Sequence, residues 1–464
     1  MANEIDAPAR LVARLERLPF SPWHRAFLLV AFFGTLFDAA DFALFGAALP
    51  AIAKEFHLGP QQAGLLATVG LMGAFLGALF WGTISDYIGR RTAFQATIGI
   101  FAVFTGLIAA SWNIASLAVF RFLANFGLGG EVPVASTLSS EFMPSKIRGR
   151  ATGTMMAAFP AGLVLAAGLA LAILPNYGWR TLFAVGVVPA IVLFFVRRNV
   201  PESVRYLLSK GKVAEAGKAV DEIERRALGA GGGAPAAQID DELRAAREVR
   251  ATSRVTVLEL IREGRAPRTI LLWAVSFCFL WSSNGILFML PTILTQRGMP
   301  LSQAITLTLV QAIGGVFGYV ACAFLIDRYG RRPVLFLYFF VGAAFHLAFA
   351  VSSGLWMYAA IALVGWVNPG VYGPSTVYAA ELYPTHLRAT AVGWYFGIGR
   401  IGSFLAPAVV GFMLVHGLGQ YVLHTFALTY FIAAIAIWLV GIETKGLVLE
   451  KITGLDVGAG SPAG

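Results

Sequence analysis

The chain has 464 residues, of which 58% are hydrophobic and 13% charged, and its formal net charge is +10. A soluble domain usually has about 25% charged residues, so this composition excludes an ordinary soluble domain and predicts a membrane protein. Membrane orientation accounts for the excess of Lys and Arg, so the net charge does not require a nucleic-acid partner.

Twelve apolar stretches are long enough to cross the roughly 30 Å hydrocarbon core of a bilayer as helices. We place the first six near 24–50, 60–84, 92–110, 115–140, 147–174 and 179–197. The second six lie near 268–296, 302–326, 333–351, 355–382, 388–414 and 420–441. The pattern predicts an all-α membrane protein with two pseudo-symmetric six-helix bundles, at 24–197 and 268–441.

Three more polar stretches flank these bundles. Residues 1–23 are expected to be a cytoplasmic segment without a cleavable signal peptide, because Arg10, Arg14 and Arg17 precede, and Arg25 begins, a first span too long for a signal sequence. Residues 198–267 form a charged cytoplasmic linker, with short helices predicted at Ala214–Ala227 and Ile239–Arg250. Residues 442–464 form a cytoplasmic tail, of which we expect 452–464 to be disordered.

Short loops rich in Lys and Arg stay in the cytoplasm, so the basic residues predict the orientation. With the N-terminus inside, Lys54, Arg180 and Arg297 fall outside, and Arg121 and Arg400 fall within helices. The other 30 of the 35 basic residues are then cytoplasmic. We therefore expect both termini in the cytoplasm.

A short motif with one acid before a Gly-Arg-Arg turn occurs twice, with Asp327 following Asp86 at an offset of 241. Glycine permits a tight reversal between helices, and an acid beside arginines can form ion pairs that break when bundles move. We expect each half to have a turn whose ion pairs take part in gating. The alternative is that these ion pairs only hold the loop in one fixed conformation. The members are Gly82, Asp86, Gly89, Arg90 and Arg91, and then Asp327, Gly330, Arg331 and Arg332.

A second repeat joins an acid to a base seven residues later. Glu141 leads to Arg148 in the first half, and Glu381 leads to Arg388 in the second. The two repeats have nearly the same offset, which predicts two homologous halves.

Together these repeats resemble those of the major facilitator superfamily, from about residue 24 to residue 450. Pro201-Glu202-Ser203 and Glu443-Thr444-Lys445-Gly446 are similar to the terminal motifs of sugar porters, although Ile442 replaces the usual proline of the second copy. The resemblance implies a secondary carrier that opens its central site alternately to each side. It implies no enzyme activity and no cofactor.

Other segments resemble bacterial niacin transporters and the related aromatic acid/proton symporters and organic ion transporters. They are the stretch 129–150, the pair Asp38 and Asp41, the stretch 381–390, and Gly399-Arg400-Ile401-Gly402 with Pro407. The resemblance implies a bacterial inner membrane, and we expect a monomer. The polar stretch 281–284 in the seventh span matches no family pattern.

Five ionisable residues lie within predicted spans, namely Asp38, Asp41, Arg121, Glu131 and Arg400. A charge at mid-membrane costs about 2.5 to 3.5 kcal/mol, so such residues usually face a cavity and have partners. None of the five recurs at the offset of 241. Unduplicated charges are the better candidates for a task that one half performs alone.

Asp38 and Asp41 are three residues apart and share one helical face. Two carboxylates at that spacing repel each other in a low dielectric, so one of them is expected to take up a proton. Arg121 is placed to pair with Asp41. We predict proton coupling with Asp38, Asp41, Arg121 and Glu131 as its residues; the alternative is a permanently ionised structural network.

Arg400 is the candidate anchor for a carboxylate, because a guanidinium matches that group with two parallel hydrogen bonds. The alternative is a pairing of Arg400 with an aspartate of the first span. Aromatic residues supply flat walls for a ring, or else pack in the core. The other candidate binding residues are Asn284, Trp281, Tyr372, Tyr378, Trp394 and Phe396. We assign His346 a peripheral position and no proton role.

The sequence has no phosphate-binding loop, no catalytic triad and no cluster with metal-ligand spacing, and Cys278 and Cys322 indicate neither a disulfide nor a metal site. We expect import of a small aromatic monocarboxylate with a proton, nicotinate first and benzoate-like acids second. The alternatives are a sugar/proton symporter and an organic cation transporter. A transporter-like receptor and a membrane enzyme are less favoured.

Overall fold

A computed structural model describes residues 7–228, 257–262, 264–383 and 385–444. In these ranges all regular structure is helical. The helices before the linker are α1 Ala7–Glu16, α2 Pro22–Glu55, α3 Pro60–Ile88, α4 Arg90–Ala109, α5 Ile114–Gly129, α6 Glu131–Phe142 and α7 Ser145–Arg197. Those of the linker are α8 Val204–Ser209 and α9 Val213–Leu228.

The second half repeats this succession of long apolar helices. They are α10 Ala266–Gln296, α11 Leu301–Tyr329, α12 Arg331–Val351, α13 Leu355–Val367, α14 Tyr372–Glu381, α15 Thr385–Val415 and α16 Val422–Val440. Short 3-10 turns occupy Val257–Leu260, Pro369–Val371 and Gly419–Tyr421.

Eleven candidate membrane spans are found among the described residues, by length and composition. The longest, Ile147–Arg197, contains Gly178 with φ 75° and ψ 174°, which is not helical. Gly178 lies between the predicted spans 147–174 and 179–197, so this continuous helix corresponds to two spans. The twelve-span, all-α architecture predicted from the sequence is therefore confirmed.

The fourth and tenth spans are both interrupted midway. The fourth consists of α5 and α6, which meet at Gly130, and the tenth consists of α13 and α14, separated by the turn Pro369–Val371. Proline has no N–H to donate and clashes with the preceding turn, so the helix breaks at Pro369. The two halves are thus similar in their breaks as well as in their motifs.

Contacts divide the chain into two compact units. One contains the described residues up to Ala39, Met72–Phe159 and those from Phe183 to 228, and the other contains Ala40–Leu71, Pro160–Leu182 and the described residues from 257 onward. The second unit therefore combines parts of α2, α3 and α7 with the helices of the second half. The boundaries 24–197 and 268–441 stay a prediction.

Within the second unit, close backbone contacts join α2 and α3 to α10 and α15. A Cβ atom at Gly46 would lie 2.6 Å from the Leu287 carbonyl oxygen, and one at Gly411 would lie 2.6 Å from the Pro60 carbonyl oxygen. Thr68 Oγ1 donates to the Phe404 carbonyl at 2.7 Å. These contacts lie toward the α2–α3 connection, which we call the opposite end of this unit; its end with the Gly330 turn is the motif end.

In the first unit, α1 and the linker helices pack together. Leu11 and Leu15 of α1 belong to the same buried cluster as Val220 of α9. Arg14 contacts Glu224 at 2.5 Å, and the hydrogen bonds that Arg14 donates to this carboxylate raise the pKa of Arg14 above its ordinary value. Helix α9 matches the predicted helix Ala214–Ala227; the predicted helix Ile239–Arg250 and the tail 452–464 lie outside the described residues.

Candidate functional site

The first motif turn places an acid on either side of one arginine. Gly89 has φ 101° and begins α4, a conformation that disfavours any residue with a side chain. Arg90 then contacts Asp86 at 2.7 Å and Glu141 at 3.7 Å. The two sequence repeats of this half therefore meet at Arg90.

The second motif turn repeats this arrangement. Gly330 has φ 102°. Arg331 lies 3.1 Å from Glu381 and 3.6 Å from Asp327. Both motif turns therefore place a single arginine between the acid of the turn and the acid near the end of a later half-span, α6 or α14.

A third acid completes each turn. The sequence identified this acid only through the resemblance to the terminal motifs of sugar porters. Glu202 accepts a hydrogen bond from the Arg91 N–H at 3.0 Å. Glu443 accepts from the N–H groups of Arg331 and Arg332 at 3.0 and 3.1 Å. A carboxylate at a helix N-terminus satisfies donors that have no partner within the helix. The sequence contains a signal that could have identified both acids, because Glu443 follows Glu202 at the same offset of 241 that separates Asp327 from Asp86.

The other motif members also bind backbone or neighbouring acids. Arg91 donates to the Arg198 carbonyl at 2.7 Å, as Arg332 does to the Trp438 carbonyl at 2.7 Å. A Cβ atom at Gly82 would have no atom within 4 Å. Close packing therefore does not require a glycine at position 82.

The two halves differ at the second repeat. Arg148 contacts Glu16, the last residue of α1, at 2.6 Å, whereas Arg388 donates to the Ala380 carbonyl at 3.0 Å. The N-terminal segment thus supplies the acid for Arg148, which the repeat in the sequence does not predict.

All four predicted proton-coupling residues are buried. The exposed fractions are 6% for Asp38, 3% for Asp41, 0% for Arg121 and 1% for Glu131. Asp38 and Asp41 lie on α2, Arg121 on α5 and Glu131 at the start of α6. Charges at this depth need polar partners, which is consistent with a functional or structural polar network.

Glu131 has a partner that sequence reasoning missed. Arg197 donates two side-chain hydrogen bonds to Glu131, one of them at 2.7 Å, and the guanidinium also lies 3.7 Å from the centre of the Phe94 ring. The sequence predicts a cytoplasmic position for Arg197, because this residue ends an apolar run and precedes Arg198. A bidentate buried pair favours the structural alternative for Glu131 over proton transfer.

Arg400 and Phe396 lie one turn apart on α15, on the same side of the helix as Gly397. A Cβ atom at Gly393 or at Gly397 would have no atom within 4 Å, whereas one at Gly402 would lie 2.6 Å from a carbonyl oxygen of α10. One face of α15 therefore packs on α10, and the face near Phe396 and Arg400 does not. An arginine at membrane depth favours an aqueous cavity over lipid.

Several other predicted binding residues lie around this face. Asn284 of α10 donates to Ser403 of α15 at 3.0 Å, and the ring centres of Tyr372 and Phe396 are 5.6 Å apart. Asn284, Tyr372, Phe396 and Arg400 are all half-buried. Trp281 is half-buried too, with its backbone close to Gly402.

Two predicted ring walls lie elsewhere. Tyr378 is 1% exposed and donates to the Ile442 carbonyl at 2.9 Å, so its hydroxyl serves packing at the motif end. Trp394 is 39% exposed, with its ring centre 5.6 Å from that of Trp273. We therefore remove Tyr378 from the candidate binding residues, because its surface is occupied by the protein itself.

No group of three or more His, Cys, Asp or Glu side chains among the described residues has a geometry suited to a metal ion. Cys278 and Cys322 are free and buried. The candidate site is thus built from one guanidinium, an amide and aromatic rings.

The sequence is similar to transporters of ring compounds. It is 33% identical to the niacin transporter NiaP of Acinetobacter baylyi, over 95% of this chain and 99% of that protein. It is 29% identical to the benzoate transport protein of the same organism, over 85% of this chain and 84% of that protein.

The fold is similar to that of a solved carrier. An inward open structure of the xylose transporter XylE from E. coli superposes with a TM-score of 0.74 at 17% identity, over 93% of this chain and 99% of that one. The family model described as "sugar (and other) transporter" matches residues 27–455. The chain therefore belongs to this family of transporters, within the major facilitator superfamily, and is a multi-pass membrane protein rather than an enzyme.

Proposed function

We propose that the protein imports a small aromatic carboxylate, nicotinate first, together with a proton, by alternating access. The observation that carries the proposal is the position of Arg400 in the apolar part of α15, with Phe396 one turn away and with Gly397 between them, where an added Cβ atom would have no atom within 4 Å. A guanidinium binds a carboxylate in two places, and an aromatic ring offers a flat apolar surface to a ring-shaped cargo. The likeness to the niacin and benzoate transporters supports the same class of cargo.

Proton coupling rests on the buried acids of α2. Asp38 and Asp41 are three residues apart on one continuous helix, and both are almost fully buried. Two carboxylates so placed do not both stay charged without cost, so protonation of one is expected to accompany loading. Glu131 is a weaker candidate, because Arg197 already neutralises it.

Alternating access is supported by the contacts at the opposite end. There α2 and α3 meet α10 and α15 at glycines and carbonyl groups, and the ring centres of Phe42 of α2 and Phe288 of α10 are 5.8 Å apart. Close backbone contacts of this kind can join helices in one state of a carrier and separate in the other. We place the motif end and both termini in the cytoplasm of a bacterial inner membrane, because the basic residues concentrate there.

A sugar/proton symporter is the second candidate, favoured by the family model and by the fold of the xylose transporter. A sugar site needs several uncharged hydrogen-bonding side chains, whereas the group described above contains one amide, Asn284, beside Arg400. An organic cation transporter is the third candidate, favoured if Asp38 and Asp41 bind the cargo directly.

The test is uptake of labelled nicotinate by the purified protein in proteoliposomes, with and without an inward proton gradient. Benzoate, nicotinamide, xylose and a quaternary ammonium compound serve as competitors. We expect gradient-driven accumulation that ring carboxylates block and the other three do not. Uptake blocked by xylose or by the quaternary ammonium compound would assign the protein to one of the other two cargo classes.

A further inference from the structure

A buried histidine lies where helices of the second unit meet. His346 of α12 is 0% exposed, its Nδ1 lies 2.7 Å from the Gly342 carbonyl oxygen, and its Nε2 lies 3.2 Å from the Ser282 hydroxyl of α10. The ring centre is 4.8 Å from that of Tyr430 on α16. The expected peripheral position of His346 is therefore wrong: in an apolar helix without a clear polar face, the sequence does not show which side is buried.

These contacts fix which ring nitrogen holds the proton. A carbonyl oxygen only accepts, so Nδ1 of His346 donates to Gly342. In the neutral ring Nε2 then accepts, and the Ser282 hydroxyl is the donor. The hydrogen bond thus gives Ser282 one defined rotamer and ties α10 to α12.

The neighbouring tyrosine makes a similar link to the tenth span. Tyr430 is 0% exposed, and its hydroxyl donates to Oδ1 of Asn368. Asn368 is the last residue before Pro369, where α13 ends and the 3-10 turn begins. The hydrogen bond therefore holds the break itself, from which α14 starts at Tyr372.

Glycines let the rings of α16 approach closely. A Cβ atom at Gly342 would lie 2.5 Å from Cδ1 of Tyr430, and one at Gly285 would lie 2.6 Å from Cε1 of Phe426. Both positions exclude larger side chains unless the rings move. The polar links from α12 and α16 are therefore held in a tightly fitted site and not at a loose surface.

The two links end next to candidate binding residues. Ser282 lies between Trp281 and Asn284 in the chain, and Asn284 contacts Ser403 of α15 at 3.0 Å. The break at Asn368 leads directly to Tyr372, whose ring is 5.6 Å from that of Phe396. Both links thus act on residues that surround the Arg400 face.

We propose that His346 and Tyr430 are positioning residues of the carrier: through Ser282 and Asn368 they set the orientation of α10 and of the tenth-span break for substrate binding. The proposal rests on the proposed function, because it assigns the oriented residues to the cargo site. Neither residue is expected to touch the cargo, and neither is expected to carry the transported proton.

The variants are chosen to separate the hydrogen bonds from the volume of the side chains. His346→Phe keeps a ring and loses both nitrogens, Tyr430→Phe loses only the hydroxyl, and His346→Gln keeps an acceptor for Ser282. His424→Phe is the matched control, because His424 lies on α16 and is exposed. Counterflow of labelled nicotinate then gives KM and the maximal rate.

We expect His346→Phe and Tyr430→Phe to raise KM about tenfold, because each leaves a buried polar atom without its partner. The maximal rate should change by about twofold at most, and His346→Gln should recover most of the affinity. Equal KM values for His346→Phe, Tyr430→Phe and His424→Phe would overturn the proposal. So would a His346→Gln variant as impaired as His346→Phe.

Hydrogen–deuterium exchange of the same purified variants gives an answer that does not need a known cargo. We expect faster exchange at 366–373 in Tyr430→Phe and at 280–285 in His346→Phe, and no change in His424→Phe. If the wild-type protein does not exchange nicotinate, the proposed cargo fails, while altered exchange at those segments still supports the positioning role. Unaltered exchange in both variants rejects it.

Discussion

Arg197 and Glu131 form a bidentate ion pair inside the first unit, with exposed fractions of 0% and 1%. The pair joins the end of α7 to the start of α6, and a side chain at Gly34 of α2 would collide with both partners. Three helices therefore meet at one buried pair. The two charges are buried as a pair. Removing one leaves the other buried without a partner, so its full desolvation penalty destabilises the folded protein.

We predict that Arg197→Met destabilises the purified protein strongly, by about 3 to 5 kcal/mol, because it leaves Glu131 charged and buried. The double variant Arg197→Met with Glu131→Gln should regain most of that loss. Thermal unfolding in detergent measures both. Arg198→Met is the matched control, since Arg198 is exposed. If the double variant unfolded as early as Arg197→Met, loss of packing and not the unpaired charge would be the cause.

The pair is a feature that the sequence did not predict. The twelve spans and the motif turns depend on local signals, namely apolar length and a short motif repeated at a fixed offset, so they could be predicted. The contact between Arg197 and Glu131 joins residues 66 positions apart, and a charge that ends an apolar run looks the same whether it is buried or solvated. Only packing in three dimensions distinguishes these cases.

The aromatic residues show a second limit of the same kind. Tyr372 and Tyr378 are equally plausible ring walls in the sequence, yet one contacts Phe396 and the other donates to Ile442 at the motif end. A helix that is apolar on all sides gives no periodic signal for its inner face. Residue type alone therefore could not narrow the candidate binding residues.

Arg400→Gln is expected to raise the KM for nicotinate by about 10- to 100-fold, because a hydrogen bond to a charged group contributes about 1.5 to 3 kcal/mol. Arg400→Lys should be intermediate, since an ammonium keeps the charge but not the fork. Concentration-dependent uptake into proteoliposomes measures both variants.

The control for Arg400 is Arg297→Gln, which removes an exposed arginine just after α10. It should leave KM unchanged. An Arg400→Gln variant with normal KM but lower thermal stability would show that Arg400 pairs within the protein, which is the alternative left by the sequence.

Asp41→Asn is expected to abolish uphill uptake driven by a pH gradient and to retain exchange of nicotinate across the membrane. The amide has nearly the shape of the carboxylic acid but neither gains nor loses a proton near neutral pH, so the cargo still binds while coupling is lost. Uptake and counterflow in the same vesicles measure the two activities, and Asp38→Asn is run in parallel.

Comparison of the two variants assigns the residue that carries the proton. Continued uphill uptake by Asp41→Asn, together with its loss in Asp38→Asn, would move the proton site by one helical turn. Uphill uptake that survives in both variants would exclude the α2 acids as proton carriers.

Gly411→Leu is expected to stop transport, because a side chain there collides with the Pro60 backbone in the contact that closes the opposite end. A Cβ atom at Gly411 would lie 2.6 Å from the Pro60 carbonyl oxygen, which belongs to the backbone and cannot rotate aside. Counterflow should fall to the background level while nicotinate still binds to the detergent-purified protein. Gly59→Leu is the matched control one residue before Pro60, where an added Cβ atom has no atom within 4 Å. Normal counterflow by Gly411→Leu would show that transport does not pass through this closed contact.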